Sequence, residues 1–199
     1  MRAFVSGLVL AAGASRRFGR PKQLLAWRDT TLLGWVIRQA SGARGLDELI
    51  VVIGGAADEV RTSVEFGRAR VIQADDFAEG CAASYRSGMA ALDERADAVT
   101  VLLGDQPGID SSTINRVVQT WREAPSPIVV SSYRGRIGHP MIFARECFDA
   151  LSKLSGDKAA WKIVDGRLDE TTRVELDEPY PFDVNTPADY ARLVETVRT

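Results

Sequence analysis

The chain has one histidine, two cysteines and no apolar run near 18 residues within its 199 positions. Each scarcity excludes something. A single histidine, His139, leaves no His-rich metal site and no obvious Ser–His–Asp triad. Two distant cysteines, Cys81 and Cys147, make no disulfide framework. Each is expected as a free, packed thiol, and the chain as a cytoplasmic one in a reducing compartment. With no secretory leader and no long apolar segment, no membrane span is expected. A basic excess is absent too: 25 Lys and Arg stand against 27 Asp and Glu. Neither nucleic acid nor an anionic membrane is an expected partner. What remains for catalysis is carboxylates, cations or a metal held by oxygen.

Hydrophobic residues make up 45% of the chain and charged residues 26%, an ordinary globular mix. The length fits one domain, spanning 1–199. The charge is uneven along it. Residues 1–28 carry Arg2, Arg16, Arg17, Arg20, Lys22 and Arg28 and no acid. Residues 169–199 carry eight acids and three arginines. A basic start and an acidic end hint at an anion met near one and a cation near the other.

Short apolar runs alternate with amphipathic stretches. Phe4–Ala11, Leu49–Ile53, Ala69–Gln73, Ala98–Leu103, Ile128–Ser132, Met141–Phe143 and Thr172–Leu176 read as strands. Thr31–Ala43, Asp58–Phe66, Ser84–Leu92 and Asp110–Trp121 read as helices, with short ones at Arg145–Leu151 and Lys158–Val164. Thr186 caps a last helix that Pro187 opens and that runs to Arg198. Alternating strands and helices predict βαβ units and a mainly parallel sheet. Ligands of such sheets sit beyond the carboxyl ends of the strands, so the loops after residues 11, 54 and 103 are where chemistry is expected.

The first of these loops runs Leu10-Ala11-Ala12-Gly13-Ala14-Ser15-Arg16-Arg17-Phe18-Gly19-Arg20-Pro21-Lys22. Small residues let a backbone approach a ligand closely, and Gly13 and Gly19 are expected to supply positive φ. Successive N–H groups in such a loop cradle an anion, and Arg17 and Lys22 add charge. Neither G-x-G-x-x-G nor G-x-x-x-x-G-K-[ST] is present. Asp105, in Gly104-Asp105-Gln106-Pro107, emerges where the most apolar strand ends. A second acidic cluster, Asp183-Val184-Asn185-Thr186-Pro187-Ala188-Asp189, precedes the last helix. Asp183 and Asn185 alternate along an extended segment, which predicts a bend if both are to face one spot. Asp189 is expected to dress the helix N-terminus. Trp27, Trp35 and Trp121 are expected in the core.

Leu10 to Leu25 carries L-A-A-G-x-S-x-R-x-G-x-x-K-x-L-L. It resembles the signature of the MobA-like nucleotidyltransferases, and its doubled alanine is similar to their molybdenum cofactor cytidylyltransferase branch. The guanylyltransferase branch typically has Leu-Ala-Gly-Gly there. Phe18 stands where methionine is usual. Asp105-Gln106-Pro107 is similar to the family's metal-binding aspartate motif, and Asp183-x-Asn185-Thr186-Pro187-x-Asp189 to its Asp-x-Asp/Asn-Thr-Pro-x-Asp motif. Gly80 to Gly88 looks like the G-x-x-x-S-x-x-x-G segment near the base, with Ser84 placed to bond a pyrimidine edge. Gly138-His139-Pro140 resembles a motif near the pterin product. Gly156-Asp157 begins a loop similar to Gly-Asp-x-Gly-Ala-Arg, although Trp161 stands where arginine is common; Lys158 and Lys162 are candidates to replace that cation.

The resemblance implies a single α/β domain, a Rossmann-like three-layer sandwich with a mostly parallel sheet, of the nucleotide-diphospho-sugar transferase kind. It implies a molybdenum cofactor cytidylyltransferase, joining CTP to a molybdopterin-type phosphorylated acceptor with release of pyrophosphate. The nucleotide would meet Leu10, Ala11, Ala12, Gly13, Ser15, Arg17, Lys22, Ser84, Gly88 and Asp105, with Gly54 and Gly55 turning close to the base. Arg17, Lys22 and Asp105 would be catalytic. Mg²⁺ would be held by Asp105 with oxygens of Asp183 and Asn185, since that ion takes one or two carboxylates plus phosphates and water. His139, Gly156 and Asp157 would meet the acceptor, and a client molybdoenzyme is a further implied partner. Two readings stand beside this one. A guanylyltransferase, or a transferase to a sugar phosphate or phospholactate-like acceptor, keeps the chemistry and changes the substrates. A non-catalytic molybdopterin carrier keeps only the binding. A dehydrogenase is disfavoured by the missing dinucleotide fingerprint.

Overall fold

Every residue of Val5–Ala11 is buried, and its side chains alternate between two apolar layers. Val5, Val9 and Ala11 enter one and Leu8 and Leu10 the other. A strand buried on both faces belongs in the middle of a parallel sheet. The structure, a computed structural model, describes residues 2–74, 76–77, 80–156 and 160–196.

The elements run β1 (Val5–Ala11), a two-residue hairpin of β2 (Ala26–Trp27) and β3 (Thr30–Thr31), α1 (Leu32–Gly42), β4 (Glu48–Ile53), α2 (Ala57–Ser63) and β5 (Arg70–Gln73). They continue with α3 (Cys81–Ala90), β6 (Ala98–Leu103), α4 (Ser111–Glu123), β7 (Ile128–Tyr133), β8 (Arg136–Ala144), α5 (Phe148–Ser152), α6 (Trp161–Gly166), β9 (Thr171–Leu176) and α7 (Pro187–Glu195). Seven strands form one sheet in the order β5-β4-β1-β6-β8-β7-β9. Only β8 runs against the rest.

Helices α1, α2 and α4 cover one face and α3, α5 and α6 the other, giving three layers. On α4, Ile114, Val117, Val118 and Trp121 recur at helical spacing and are all buried. Burying each contributes about 1.5–3 kcal/mol. Asp110 caps this helix by accepting from Thr113 N–H at 2.8 Å. A third cluster, of Leu25, Trp27, Leu32, Val184 and Leu193, packs the hairpin against the segment leading into α7.

The chain leaves β1 toward β4 on one side and later returns to β6 on the other. The connections after β1 and β6 therefore diverge, and the crevice between them opens at the carboxyl edge of the sheet.

Most boundaries shift by a residue or two from the sequence reading, and a few shift further. Helix α3 starts at Cys81, because Gly80 at φ +93° breaks the chain ahead of it. Helix α2 stops at Ser63. Strand β8 extends back to Arg136, so Gly138-His139-Pro140 lies within the strand and not ahead of it. The register jumps there from Val130↔Met141 to Ser131↔Gly138, leaving His139 and Pro140 as extra residues. A bulge of this kind accommodates a proline, which has no N–H for the ladder. Helix α7 ends at Glu195.

Candidate active site

A cavity of about 690 Å³ fills the crevice. Leu10, Ala11, Ala12, Gly13, Ser15, Arg17, Lys22, Ser84, Asp105 and Asn185, all singled out from the sequence, line it.

The loop after β1 is held by a side chain that the sequence did not flag. Gln23 is buried, and its Nε2 donates to Ala11 O at 2.7 Å and Gly13 O at 3.0 Å. Its Oε1 accepts from Ser15 Oγ at 3.2 Å, and that same Oγ accepts from Lys22 N–H at 2.9 Å. The loop is laced from beneath, so its upper surface is left for a ligand. Gly19 has positive φ as expected, but Gly13 does not; Ser15 takes φ +52° instead. A non-glycine residue there costs about 1–3 kcal/mol and is kept by the bonds around it. A Cβ on Gly13 would meet nothing within 4 Å, so its part is openness and not left-handed backbone.

Across the crevice, Lys22 Nζ donates to Asp105 Oδ2 at 2.5 Å and to Asn185 Oδ1 at 3.1 Å. The two ion-paired side chains are 14% and 18% exposed, so water screens them only in part. Three distant stretches meet here, and backbone and amide bonds hold them. Val184 N–H donates to Asp105 O at 3.0 Å. Gln106, itself buried, donates to Pro181 O at 3.1 Å and Asp183 Oδ1 at 2.7 Å. Val184 is buried between Asp183 and Asn185, which border Asp105 without the bend expected. Residues two apart on an extended chain share a face. Burial and then the neighbouring Asp105 charge push the Asp183 carboxyl above its ordinary range.

Asp183 sits beside the cavity rather than in its lining, spent on Gln106. The donor set facing Lys22 is one carboxylate and one amide oxygen, both hard ligands that suit a hard divalent cation. A lysine ammonium now stands between them. No cluster of three or more His, Cys, Asp or Glu side chains suited to a metal exists among the described residues.

Other expected contacts lie elsewhere. Gly88 packs α3 onto β1: a Cβ there would stand 2.5 Å from Leu8 Cδ1. Gly54 and Gly55 lie behind Phe77, and only Gly55 reaches a second hollow of about 370 Å³. His139 is buried, edge-on to Trp161, and its carbonyl accepts from Tyr133 OH at 2.6 Å. Burial holds its imidazole down to about 4, so it is neutral at pH 7 and not switchable there. Gly156 is at φ +75°, away from this cavity's lining, and Asp157 and Lys158 lie outside the described residues. Lys162 Nζ is engaged with Ser155 O at 2.9 Å. Trp27 and Trp121 are buried as expected; Trp35 is half-buried beneath Arg28 and Arg38.

Among the lining residues to which the sequence reading gave no role, Phe77 and Gln23 stand out. The signal for Gln23 was its place directly after Lys22. Phe77 offered none, being a lone aromatic after a strand.

Residues 7–173 match the family model of the MobA-like NTP transferase domain. The chain belongs to the MobA-like NTP transferase family. It is 33% identical over 165 residues to nicotine blue oxidoreductase of Paenarthrobacter nicotinovorans, covering 78% of this chain and 79% of that one. It is 25% identical over 141 residues to the molybdenum cofactor cytidylyltransferase of Escherichia coli strain K12, covering 70% of each. Among solved structures, Rv0371c of Mycobacterium tuberculosis H37Rv in complex with manganese superposes with a TM-score of 0.87 at 38% identity, covering 98% of this chain and 100% of that one. No helix among the described residues is long and apolar enough to cross a membrane.

Proposed function

We propose that this MobA-like chain is a molybdenum cofactor cytidylyltransferase, converting CTP and a molybdopterin-type acceptor to the dinucleotide cofactor and pyrophosphate. The observation that carries the reading is the meeting of Lys22, Asp105 and Asn185 at the edge of a cavity floored by the small-residue loop. Ala11-Ala12 favours the cytidylyl branch, and the Escherichia coli relative of that name supports it.

In this reading the loop N–H groups from Gly13 to Arg17 hold the triphosphate. Lys22 releases Asp105 and turns to the phosphates, where Arg17 joins it. An oxygen of the acceptor's terminal phosphate attacks the α-phosphorus in line. The new P–O bond forms as the bond to pyrophosphate breaks, and the electron pair leaves with pyrophosphate. Lys22 and Arg17 stabilise that growing charge. Asp105 and Asn185, freed of Lys22, would hold a divalent cation, proposed as Mg²⁺, with Asp183 behind them. When bound, that ion supplies charge neutralisation and alignment of the phosphate oxygens. The manganese-bound relative supports a divalent ion. Neutral His139, with Gly156 and Asp157, is kept as the acceptor side on resemblance alone.

The Paenarthrobacter relative prompts a second reading, an oxidoreductase on the same scaffold. Against it stands the missing G-x-G-x-x-G in the loop after β1.

The test is pyrophosphate release with each NTP in turn, Mg²⁺ and purified molybdopterin cofactor, with Asp105→Ala alongside. Release with CTP that needs both acceptor and Asp105 supports the proposal. Release with GTP moves the substrate and keeps the chemistry. No release, with NAD(P)H oxidised in the presence of a quinonoid dye, supports the oxidoreductase; cofactor binding with neither reaction supports a carrier.

A further inference from the structure

The cavity and the hollow beside it share one aromatic side chain. Phe77 lines both, and it is the only aromatic ring in either wall among the described residues. The ring has a prepared seat. A Cβ on Gly54 would stand 2.8 Å from Phe77 Cβ and 2.6 Å from Ala12 O. A Cβ on Gly55 would stand 2.8 Å from the ring's Cε2. Any side chain at either position would collide with Phe77, so the glycine pair makes room for the ring and not for a ligand. On its other flank, Gly80 N–H donates to Phe77 O at 3.3 Å, tying the ring's residue to the start of α3.

The cavity walls divide by chemistry. Lys22, Asp105 and Asn185 form the charged side. Leu10, Phe77, Cys81 and Leu103 pack on one apolar cluster, and together they make an uncharged side that also carries Ser84. A nucleotide has the matching division, with charged phosphates at one end and a flat ring at the other.

We propose that Phe77 is the face on which the nucleotide's base stacks. This rests on the reading of the cavity as a nucleotide site. Every base has a π-face, so stacking supplies affinity with little choice among bases. Choice between pyrimidine and purine falls to polar neighbours such as the Ser84 hydroxyl. Phe77 thus takes the role that the sequence assigned to Gly54 and Gly55, whose part is to seat it.

The experiment is equilibrium calorimetry on the full chain with CTP, GTP and inorganic tripolyphosphate. Wild type is compared with Phe77→Ala, Phe77→Leu and Phe77→Tyr. Phe77→Leu keeps apolar bulk and guards against a folding defect, and Phe77→Tyr restores a ring. Expected is a rise of about tenfold in Kd for both nucleotides in the Ala and Leu variants. Tripolyphosphate affinity should be unchanged, and the Tyr variant should bind as wild type. Equal weakening of tripolyphosphate would make the ring a prop for the loop and overturn the proposal. Unchanged nucleotide affinity in Phe77→Ala and Phe77→Leu would overturn it while leaving the nucleotide reading intact. A wild type that binds none of the nucleotides would overturn both.

Discussion

The ammonium of Lys22 rests 2.5 Å from Asp105 Oδ2, 83 residues away in sequence. It is also 3.1 Å from Asn185 Oδ1, so a side chain of the phosphate loop fills the place between two oxygen donors proposed for a metal. An ammonium and a divalent cation about 4 Å apart repel by about 8 kcal/mol at an effective dielectric near 20. In the proposed reading, lysine and metal therefore compete for these oxygens when no nucleotide is present. Lys22→Gln should bind Mn²⁺ several-fold more tightly than wild type without nucleotide, as read by electron paramagnetic resonance titration. The same variant should lose about 100-fold or more in turnover, because it lacks the charge that meets the phosphates. Equal or weaker Mn²⁺ binding in Lys22→Gln would show that the lysine does not hold the ion's place. Asp105→Ala should lose both Mn²⁺ binding and turnover.

Gly88 is a packing glycine, and its substitution should act on stability alone. The methyl of Gly88→Ala would fall 2.5 Å from Leu8 Cδ1, and Leu8 is fully buried with nowhere to go. Overpacking of this kind costs about 1–3 kcal/mol. Urea unfolding should show that loss, while CTP affinity per folded molecule stays at the wild-type value. A selective loss of affinity without loss of stability would return Gly88 to the ligand.

His139 should give the fold a pH dependence of known sign. Burial lowers its folded-state value from 6.5 to about 4. Between those values the unfolded chain binds a proton that the folded chain refuses, so stability rises with pH across the window. The rise is about 3 kcal/mol, complete above pH 6.5 and lost as pH falls toward 4. His139→Asn should lack this slope, so the stability difference between wild type and variant should shift in favour of wild type as pH rises through 4.5, 5.5 and 7 in urea titrations. A pH-independent difference would mean that the imidazole titrates in the folded chain as it does in the unfolded one.

The start of α7 is a capping box that also holds part of the site. Thr186 Oγ1 accepts from Asp189 N–H at 3.2 Å, and Asp189 Oδ2 accepts from the N–H groups of Thr186 at 2.8 Å and Asn185 at 3.1 Å. Thr186→Ala should cost about 1 kcal/mol in unfolding free energy. Because Asp189 grips Asn185, the variant should also weaken Mn²⁺ binding more than its stability loss explains. A pure stability loss would confine the box to the helix.

The fold was legible where burial writes itself into the chain. Ala98–Leu103 reads as an unbroken apolar run because both its faces are covered. Thr186-Pro187 marked a helix start to the residue, because proline and a hydroxyl cap act locally. The site was legible where charge and small residues cluster, at Gly13 to Lys22, Asp105 and Asn185. Contacts that depend on what comes to lie opposite were not. Gly54, Gly55 and Gly88 look alike in sequence, yet two seat a ring and one admits Leu8, and only the packed partner tells which. His139 reads as lying ahead of the Met141–Phe143 strand until β7 pairs beside it and leaves it bulged. Asp183 reads as a ligand until Gln106 takes one of its oxygens.

The bond from Val184 N–H to Asp105 O joins two stretches made far apart in time during synthesis. All seven strands of the sheet end by Leu176, before Asp183 has been added. A chain still on the ribosome has the sequence for its whole sheet and the loop after β1 while Lys22 still lacks its Asn185 partner. The pair of oxygens is thus completed only after every strand of the sheet has been made.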